Sequence, residues 1–210
     1  MSVRTEEWKL CKGIVDLDVE DEIAREILKK FSQEVLESFY LSDSRLNKAG
    51  ERTRKLFEVL TLLGDEMGYK VYSHSLSPEF REEHKEEDGR PKFVNREWLY
   101  DLIWYTEDNV RGYSPTDFPL LVESEWRNRR TGDKADDKQS GIKYDFQKLL
   151  LSNTGLRLMI FRIAKECDLD ALTLYFHEAI DGYRPLKEGR FLFVAFCHTK
   201  KAFYYWYKRK

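Results

Sequence analysis

Three carboxylates on two short apolar segments are the side chains of this sequence best placed to do chemistry. Asp101 sits inside WLYDLIWY (98–105), flanked by Trp98, Leu99 and Tyr100 before it and by Leu102, Ile103 and Trp104 after it. Aspartate is depleted in strand interiors, because a carboxylate there must be paired, hydrated or metal-bound. Glu123 and Glu125 close PLLVESEW (119–126). Two positions apart on a strand, they project from one face about 7 Å from each other. Like charges at that spacing repel unless a cation lies near them. Asp101, Glu123 and Glu125 on neighbouring strands would form a hard-oxygen site for Mg²⁺ (or Mn²⁺), with waters left for a substrate phosphate to replace. The following segment, IKYDFQKLL (142–150), adds Asp145, Gln147 and Lys148. Lys143 with Gln147, and Tyr144 with Lys148, lie one helical turn apart. Either lysine would lean over the sheet edge beside Glu125 and offer positive charge to a scissile phosphate.

The elements that must position these groups follow from periodicity. Apolar residues at three- and four-residue steps predict a helix over Asp18–Tyr40 and another over Lys48–Met67, stopped by Gly68. A two-residue period predicts strands over Tyr69–His74, Trp98–Tyr105 and Pro119–Trp126. Polar stretches at Ser77–Lys92 and 127–141 read as loops. A short helix is expected at Ile142–Leu151, a strand at Leu156–Phe161, a helix at Leu169–Ile180, and strands at Phe191–Cys197 and Ala202–Tyr207. This order predicts an α/β domain with a mixed central sheet flanked by helices. By helical angle Glu58 lies opposite Leu56, Leu60 and Leu63, so it is expected to face solvent.

That succession of elements carries a resemblance. Helix, strand, strand with Asp, strand with Glu-x-(Lys or Glu), helix, strand resembles the PD-(D/E)xK nuclease superfamily, the restriction-endonuclease-like fold, over roughly residues 48–163. Asp101 matches the first acid and Glu123 the second. Glu125 stands where most members carry Lys, which makes this the ExE variant, and Tyr100 stands where the motif has Pro. Gln147 or Lys148 matches the helix that in several branches supplies a Gln or a migrated Lys.

The resemblance implies a metal-dependent nuclease that hydrolyses phosphodiester bonds in DNA by a metal-activated water. Asp101 and Glu123 would ligate Mg²⁺ (or Mn²⁺), and Glu125 would ligate it or orient the water. Lys148, in preference to Lys143, would stabilise the hydroxide or the pentavalent phosphate. Residues 1–45 read as an N-terminal helical extension used for packing or dimerisation, and 46–210 as the nuclease domain. A homodimer is compatible with the resemblance. Two other readings stay open: a non-catalytic nucleic-acid or protein interaction module that retains the fold, favoured by the absent ExK lysine, and a ribonuclease using the same carboxylates.

Charge is informative only when divided. The chain of 210 residues carries 36 Lys and Arg against 38 Asp and Glu, a net charge of −2. Residues 1–125 hold 18 basic and 28 acidic groups, whereas 126–148 hold 7 and 4, and 182–210 hold 8 and 1. The basic excess therefore follows the two glutamates and returns at the C-terminus, which suits a polyanion. Arg127, Arg129, Arg130, Lys143, Gln147, Lys208 and Arg209 are the expected nucleic-acid contacts. In AFYYWYKRK (202–210), Phe203, Tyr205 and Tyr207 share a face and are expected to fill the core, leaving the terminal basic groups for phosphate.

Other classes find no support. His74, His84, His177 and His198 show no HxH or HExxH spacing, and no GxSxG, P-loop or GxGxxG occurs. No run of about eighteen apolar residues predicts a membrane span. The opening MSVRTEEWKLCKG has no apolar h-region, and Cys11, Cys167 and Cys197 show no CxxC pairing. A cytoplasmic setting is expected.

Overall fold

The computed structural model describes residues 7–11, 19–36, 39, 49–96, 98–108, 114–127 and 139–210. Eight strands form one mixed sheet: β1 (Lys9–Leu10), β2 (Lys70–Ser73), β3 (Val94–Asn95), β4 (Leu102–Glu107), β5 (Pro115–Glu125), β6 (Leu156–Ile163), β7 (Arg190–Cys197) and β8 (Ala202–Arg209). Their spatial order is β1-β8-β7-β6-β5-β4-β2-β3. β2, β4 and β5 run as an antiparallel series, β5, β6 and β7 are parallel, and β8 returns antiparallel to β7.

The parallel β5–β6 and β6–β7 pairs each require a crossover, and a helix provides it. α4 (Ser140–Leu151) joins β5 to β6, and α5 (Asp168–Gly182) joins β6 to β7. Both lie on one face, where Phe146, Leu149, Leu172 and Phe176 pack on Ile103, Leu121, Met159, Phe161 and Phe193. The other face is covered by α1 (Glu22–Lys30), which continues as a π-helical turn over Phe31–Val35, and by α2 (Ala49–Glu66). There Ile27, Leu28, Phe31, Leu56 and Leu60 meet Trp104, Leu120, Val122, Leu158 and Val194. The central strands are thus apolar on both sides, as parallel strands between helix layers must be.

The described part of the N-terminal region is built into this body. β1 pairs with β8, and Trp8 donates its indole N–H to Thr173 Oγ1 at 2.7 Å. α1 starts where Asp21 Oδ1 accepts the Ala24 N–H at 2.9 Å, and its Ile27 and Leu28 are fully buried. Among the described residues no helix is long and apolar enough to cross a membrane.

Several expected boundaries move for identifiable reasons. The polar stretch Ser77–Lys92 contains a short helix, α3 (Pro78–Glu83). Ser77 Oγ accepts the Phe80 N–H at 3.1 Å, and Pro78 occupies the first turn, a start signal present in the sequence. Glu58 is correspondingly not solvent-facing. Its Oε1 accepts both the N–H and the hydroxyl of Ser77, at 3.1 and 2.6 Å. The strand expected from Trp98 begins only at Leu102, and Trp98 and Leu99 are exposed. β1 and β3 span two residues each, too short to show any period.

Gly64 lets α2 lie close to the sheet. A Cβ there would stand 2.7 Å from Trp104 Nε1 and 2.8 Å from Val71 Cγ2. Trp104 is fully buried and donates its indole N–H to Leu60 O at 3.1 Å, so it has no room to retreat. Gly64→Ala should therefore lower stability by about 1–2 kcal/mol in denaturant unfolding, because overpacking outweighs the better helix propensity of Ala. An unchanged or raised midpoint would contradict this packing.

Candidate active site on the middle strands

Register brings the two predicted acids together. β4 and β5 pair Leu102 with Val122 and Ile103 with Leu121, so one further step sets Asp101 against Glu123. Ile103 and Leu121 face α4 and α5, and by the two-residue period so do Asp101, Glu123 and Glu125. Asp101 stands just before β4, not within it, and three groups hold it there. Its Oδ2 accepts the Ser124 N–H at 2.8 Å, and its backbone oxygen accepts the His74 N–H at 3.2 Å. His74 Nδ1 lies 3.0 Å from the same backbone oxygen, and His74 Nε2 lies 3.8 Å from Asp101 Oδ1.

Glu123 is 1% exposed. Lys148, reaching down from α4, places Nζ 2.7 Å from Glu123 Oε2, whereas the buried Oε1 has no hydrogen-bond partner. Asp145 Oδ1, one turn earlier on α4, lies 3.3 Å from the same ammonium. The Tyr100 hydroxyl donates to the Lys148 carbonyl at 3.4 Å. Asp101, Glu123, Asp145 and Lys148 thus form one cluster between β4, β5 and α4.

Glu125 does not join the two acids as a third ligand. Its Oε1 accepts the Arg127 N–H at 2.5 Å, and its Oε2 lies against Gly141, where any Cβ would come within 2.8 Å. The chain turns out of β5 immediately afterwards, and that turn draws the carboxylate to the start of α4. Among the described residues no three His, Cys, Asp or Glu side chains are grouped to hold a metal ion.

Burial and mutual repulsion dominate the electrostatics. Burial, and then the charge of Asp101, push the Glu123 carboxyl up to about 9 against the pull of Lys148. Asp101 is raised by burial, opposed by His74 and by the Ser124 N–H. Glu125 is likewise raised by burial. Burial pulls Lys148 down, but the carboxylates of Glu123, Asp145 and Asp101 outweigh it and hold the ammonium above its ordinary range. A pocket with more carboxylates than ammonium, hard oxygen donors and a buried Glu123 Oε1 without a partner has the chemistry a divalent cation needs, and Asp101 and Glu123 are the residues that could hold one.

The expected nucleic-acid contacts divide. Arg127 is exposed at the end of β5, and Arg129 and Arg130 lie outside the described residues. Lys143 stands 5.5 Å over the Tyr175 ring, and Gln147 donates to the Tyr175 hydroxyl at 3.4 Å, so both turn toward α5 rather than the acids. Lys208 and Arg209 pair with Phe191 and Arg190, which puts Lys208 on the level of Leu121. They lie three strands from β5, about 14 Å across the sheet. Lys208 Nζ is 3.0 Å from His177 Nδ1 and 3.5 Å from Asp181, and Arg209 is 3.0 Å from Glu20. The C-terminal aromatics are consumed by packing on both faces, with Phe203 and Tyr205 on one and Tyr204 and Trp206 on the other.

Asp145, which the sequence adds beside Gln147 and Lys148 without a role, gains one here, and its three-residue spacing from Lys148 is the signal. His74 carries none beyond its place at the end of a strand, since only the β2–β4 pairing sets it against Asp101.

In metal-free buffer the site should make stability fall as pH rises. The unfolded Glu123 carboxyl loses its proton near 4.5, whereas the folded one keeps it to about 9, so the folded state binds more protons throughout that window. Glu123→Gln should flatten the decline and, at pH 8, stabilise the fold by on the order of 1 kcal/mol or more in chemical denaturation. Parallel pH profiles for the two proteins would contradict the burial argument. Compared with protein-family models, curated proteins and solved structures, the chain matches none.

Proposed function

We propose that the chain is a metal-dependent nuclease of the restriction-endonuclease-like fold, acting on DNA. The observation that carries this reading is the Lys148 ammonium 2.7 Å from a fully buried Glu123 that faces Asp101 across two neighbouring strands. The antiparallel β2–β4–β5 series, followed by α4 and the parallel β6, agrees with the order of elements in that superfamily. Lys148 supplies from the helix the positive charge that the ExE motif lacks on the strand.

In this reading Asp101 and Glu123 hold Mg²⁺ or Mn²⁺. When bound, the ion lowers the pKa of a water and neutralises charge on the phosphate. Lys148 offers a positive charge to the attacking oxygen or to the developing phosphate charge. Asp145 positions that ammonium, and the Ser124 N–H and His74 fix Asp101.

A second reading, an interaction module that keeps the fold without chemistry, is favoured by two features: Lys148 already pairs with Glu123 Oε2, and among the described residues no three acids are grouped for a metal ion. Plasmid DNA incubated with Mg²⁺ or Mn²⁺ separates the two readings. The nuclease reading expects cleavage by wild type, no detectable cleavage by Glu123→Ala, and a loss of about 100-fold or more for Lys148→Ala. Equal cleavage by wild type and Glu123→Ala would contradict it.

Thermal unfolding gives a test without turnover. Ion at 100 times its Kd should stabilise wild type by about 2.7 kcal/mol and leave the Glu123→Gln midpoint unmoved. An identical shift in both proteins would place any bound metal elsewhere.

A further inference from the structure

The positive groups that sequence reading assigned to phosphate contact at the C-terminus are already engaged. Lys208 and Arg209 have the partners given above, and Lys210 Nζ donates to the carbonyls of Ile180, Asp181 and Tyr183, closing the end of α5. A different set is unengaged. Arg162, Lys165, Lys200 and Lys201 form no ion pair with any described residue, and all but the half-buried Arg162 are exposed.

These groups sit at one edge of the sheet, where β5, β6 and β7 end. Glu125 is level with Phe161, and Arg162 with Phe196; the His198 N–H continues the ladder onto Ile163 O at 3.0 Å. Arg127 follows β5, Arg162 is the last residue but one of β6, His198 follows β7, and Lys200 and Lys201 lie in the turn into β8. Three strand ends span about 10 Å, and with the turn the row reaches about 15 Å, the rise of roughly four nucleotides in one DNA strand.

Glu123 is on the level of Met159, three residues before Arg162 on the adjacent strand. By the two-residue period Arg162 shares the face of Leu158 and Ile160, toward α1 and α2, whereas Glu123 faces α4. The row therefore begins about 10 Å beyond the acidic cluster along the strands and reaches it around the strand ends. A cleft of about 340 Å³ between the starts of α4 and α5 opens beside Arg162 and Lys165. The carboxylate in that cleft, Asp168, is occupied by the N–H groups of Ala164 and Lys165 at 3.1 and 2.9 Å. His198 stands among these cations. It is held below its ordinary range by partial burial and then by Arg162, Arg52 and Lys201.

We propose that these strand ends, carrying Arg127, Arg162, Lys165, His198, Lys200 and Lys201, are the surface that grips the phosphate backbone of duplex DNA beyond the acidic site. The choice of DNA rests on the nuclease reading; the surface itself needs no chemistry. Arg162, Lys165, Lys200 and Lys201, without ion pairs among the described residues, meet phosphates without first giving up a described carboxylate. The C-terminal basic groups, three strands away and already paired, take no part.

The test measures binding of the full chain to a labelled 20-base-pair DNA duplex by fluorescence anisotropy, in EDTA, across a salt series. Each phosphate contact removed lowers the slope of log K against log salt by about 0.9. Lys200→Gln/Lys201→Gln, both at exposed positions, should lower it by about 2 and weaken binding roughly 10-fold at fixed salt. Arg162→Gln should lower it by about 1, with thermal unfolding confirming that the half-buried site still folds. Lys208→Gln/Arg209→Gln should leave slope and affinity unchanged.

Equal slopes for wild type and Lys200→Gln/Lys201→Gln would overturn the proposal, as would a loss confined to the tail variant. Tighter binding to a duplex RNA of the same length would overturn the assignment to DNA. Because no metal is present, the two readings fail separately. Edge-dependent binding without cleavage under any metal would remove the nuclease and leave the surface. Cleavage with an edge-independent salt slope would do the reverse.

Discussion

A carboxylate buried to 1% exposure must find a proton, an ammonium or a metal, because leaving it charged and alone costs several kcal/mol. Glu123 is that carboxylate, and its surroundings read as the means of keeping it. β5 is covered on one face by the α1–α2 layer and on the other by α4, so water does not solvate it. Lys148 comes from α4, and α4 is itself anchored from beneath. The buried Arg157 guanidinium donates to the carbonyls of Leu149 and Thr154 at 3.0 and 3.4 Å, and lies 5.1 Å over the Phe191 ring. With no carboxylate partner among the described residues, Arg157 spends its donors on carbonyls in the last turn of α4 and in the segment that leads from it into β6, that of Ser152 included. The ammonium on Glu123 is therefore delivered by a helix whose end is fixed.

The same constraint explains the asymmetry among the acids. Asp101 keeps a backbone N–H and a histidine beside it and remains a ligand candidate. Glu125, two residues further on, finds the Arg127 N–H where the strand turns, and is withdrawn from the pair. One ammonium cannot neutralise Asp101, Glu123 and Asp145 together. Burial first, and then the surplus negative charge that would attract a cation, raise the acids toward their protonated forms.

Strand and helix order was legible because periods of two and three to four persist over the long elements, from α2 through β8. That Asp101 and Glu123 stand on neighbouring segments was legible as well, from the order of elements, whereas their register came only from the β4–β5 ladder. What the pattern could not show depends on long-range register or on side-chain reach. Two-residue strands have no period. His74 meets Asp101 only through the β2–β4 ladder, and the fate of Glu125 is decided by one backbone N–H after the strand ends. The terminal cluster Lys208–Lys210 read as free because sequence does not reveal that α5 lies alongside with His177, Asp181 and three open carbonyls. Lys200, Lys201 and Arg162, scattered in sequence, become one row only when β6, β7 and β8 pair.

In the proposed nuclease Asp101 and Glu123 jointly hold a divalent cation whose place Lys148 otherwise takes. Anomalous scattering from crystals of the chain soaked in Mn²⁺ would then show one strong peak within about 2.0–2.6 Å of carboxylate oxygens from both Asp101 and Glu123. Crystals with no peak at these residues, or with Mn²⁺ bound only elsewhere on the surface, would contradict that reading.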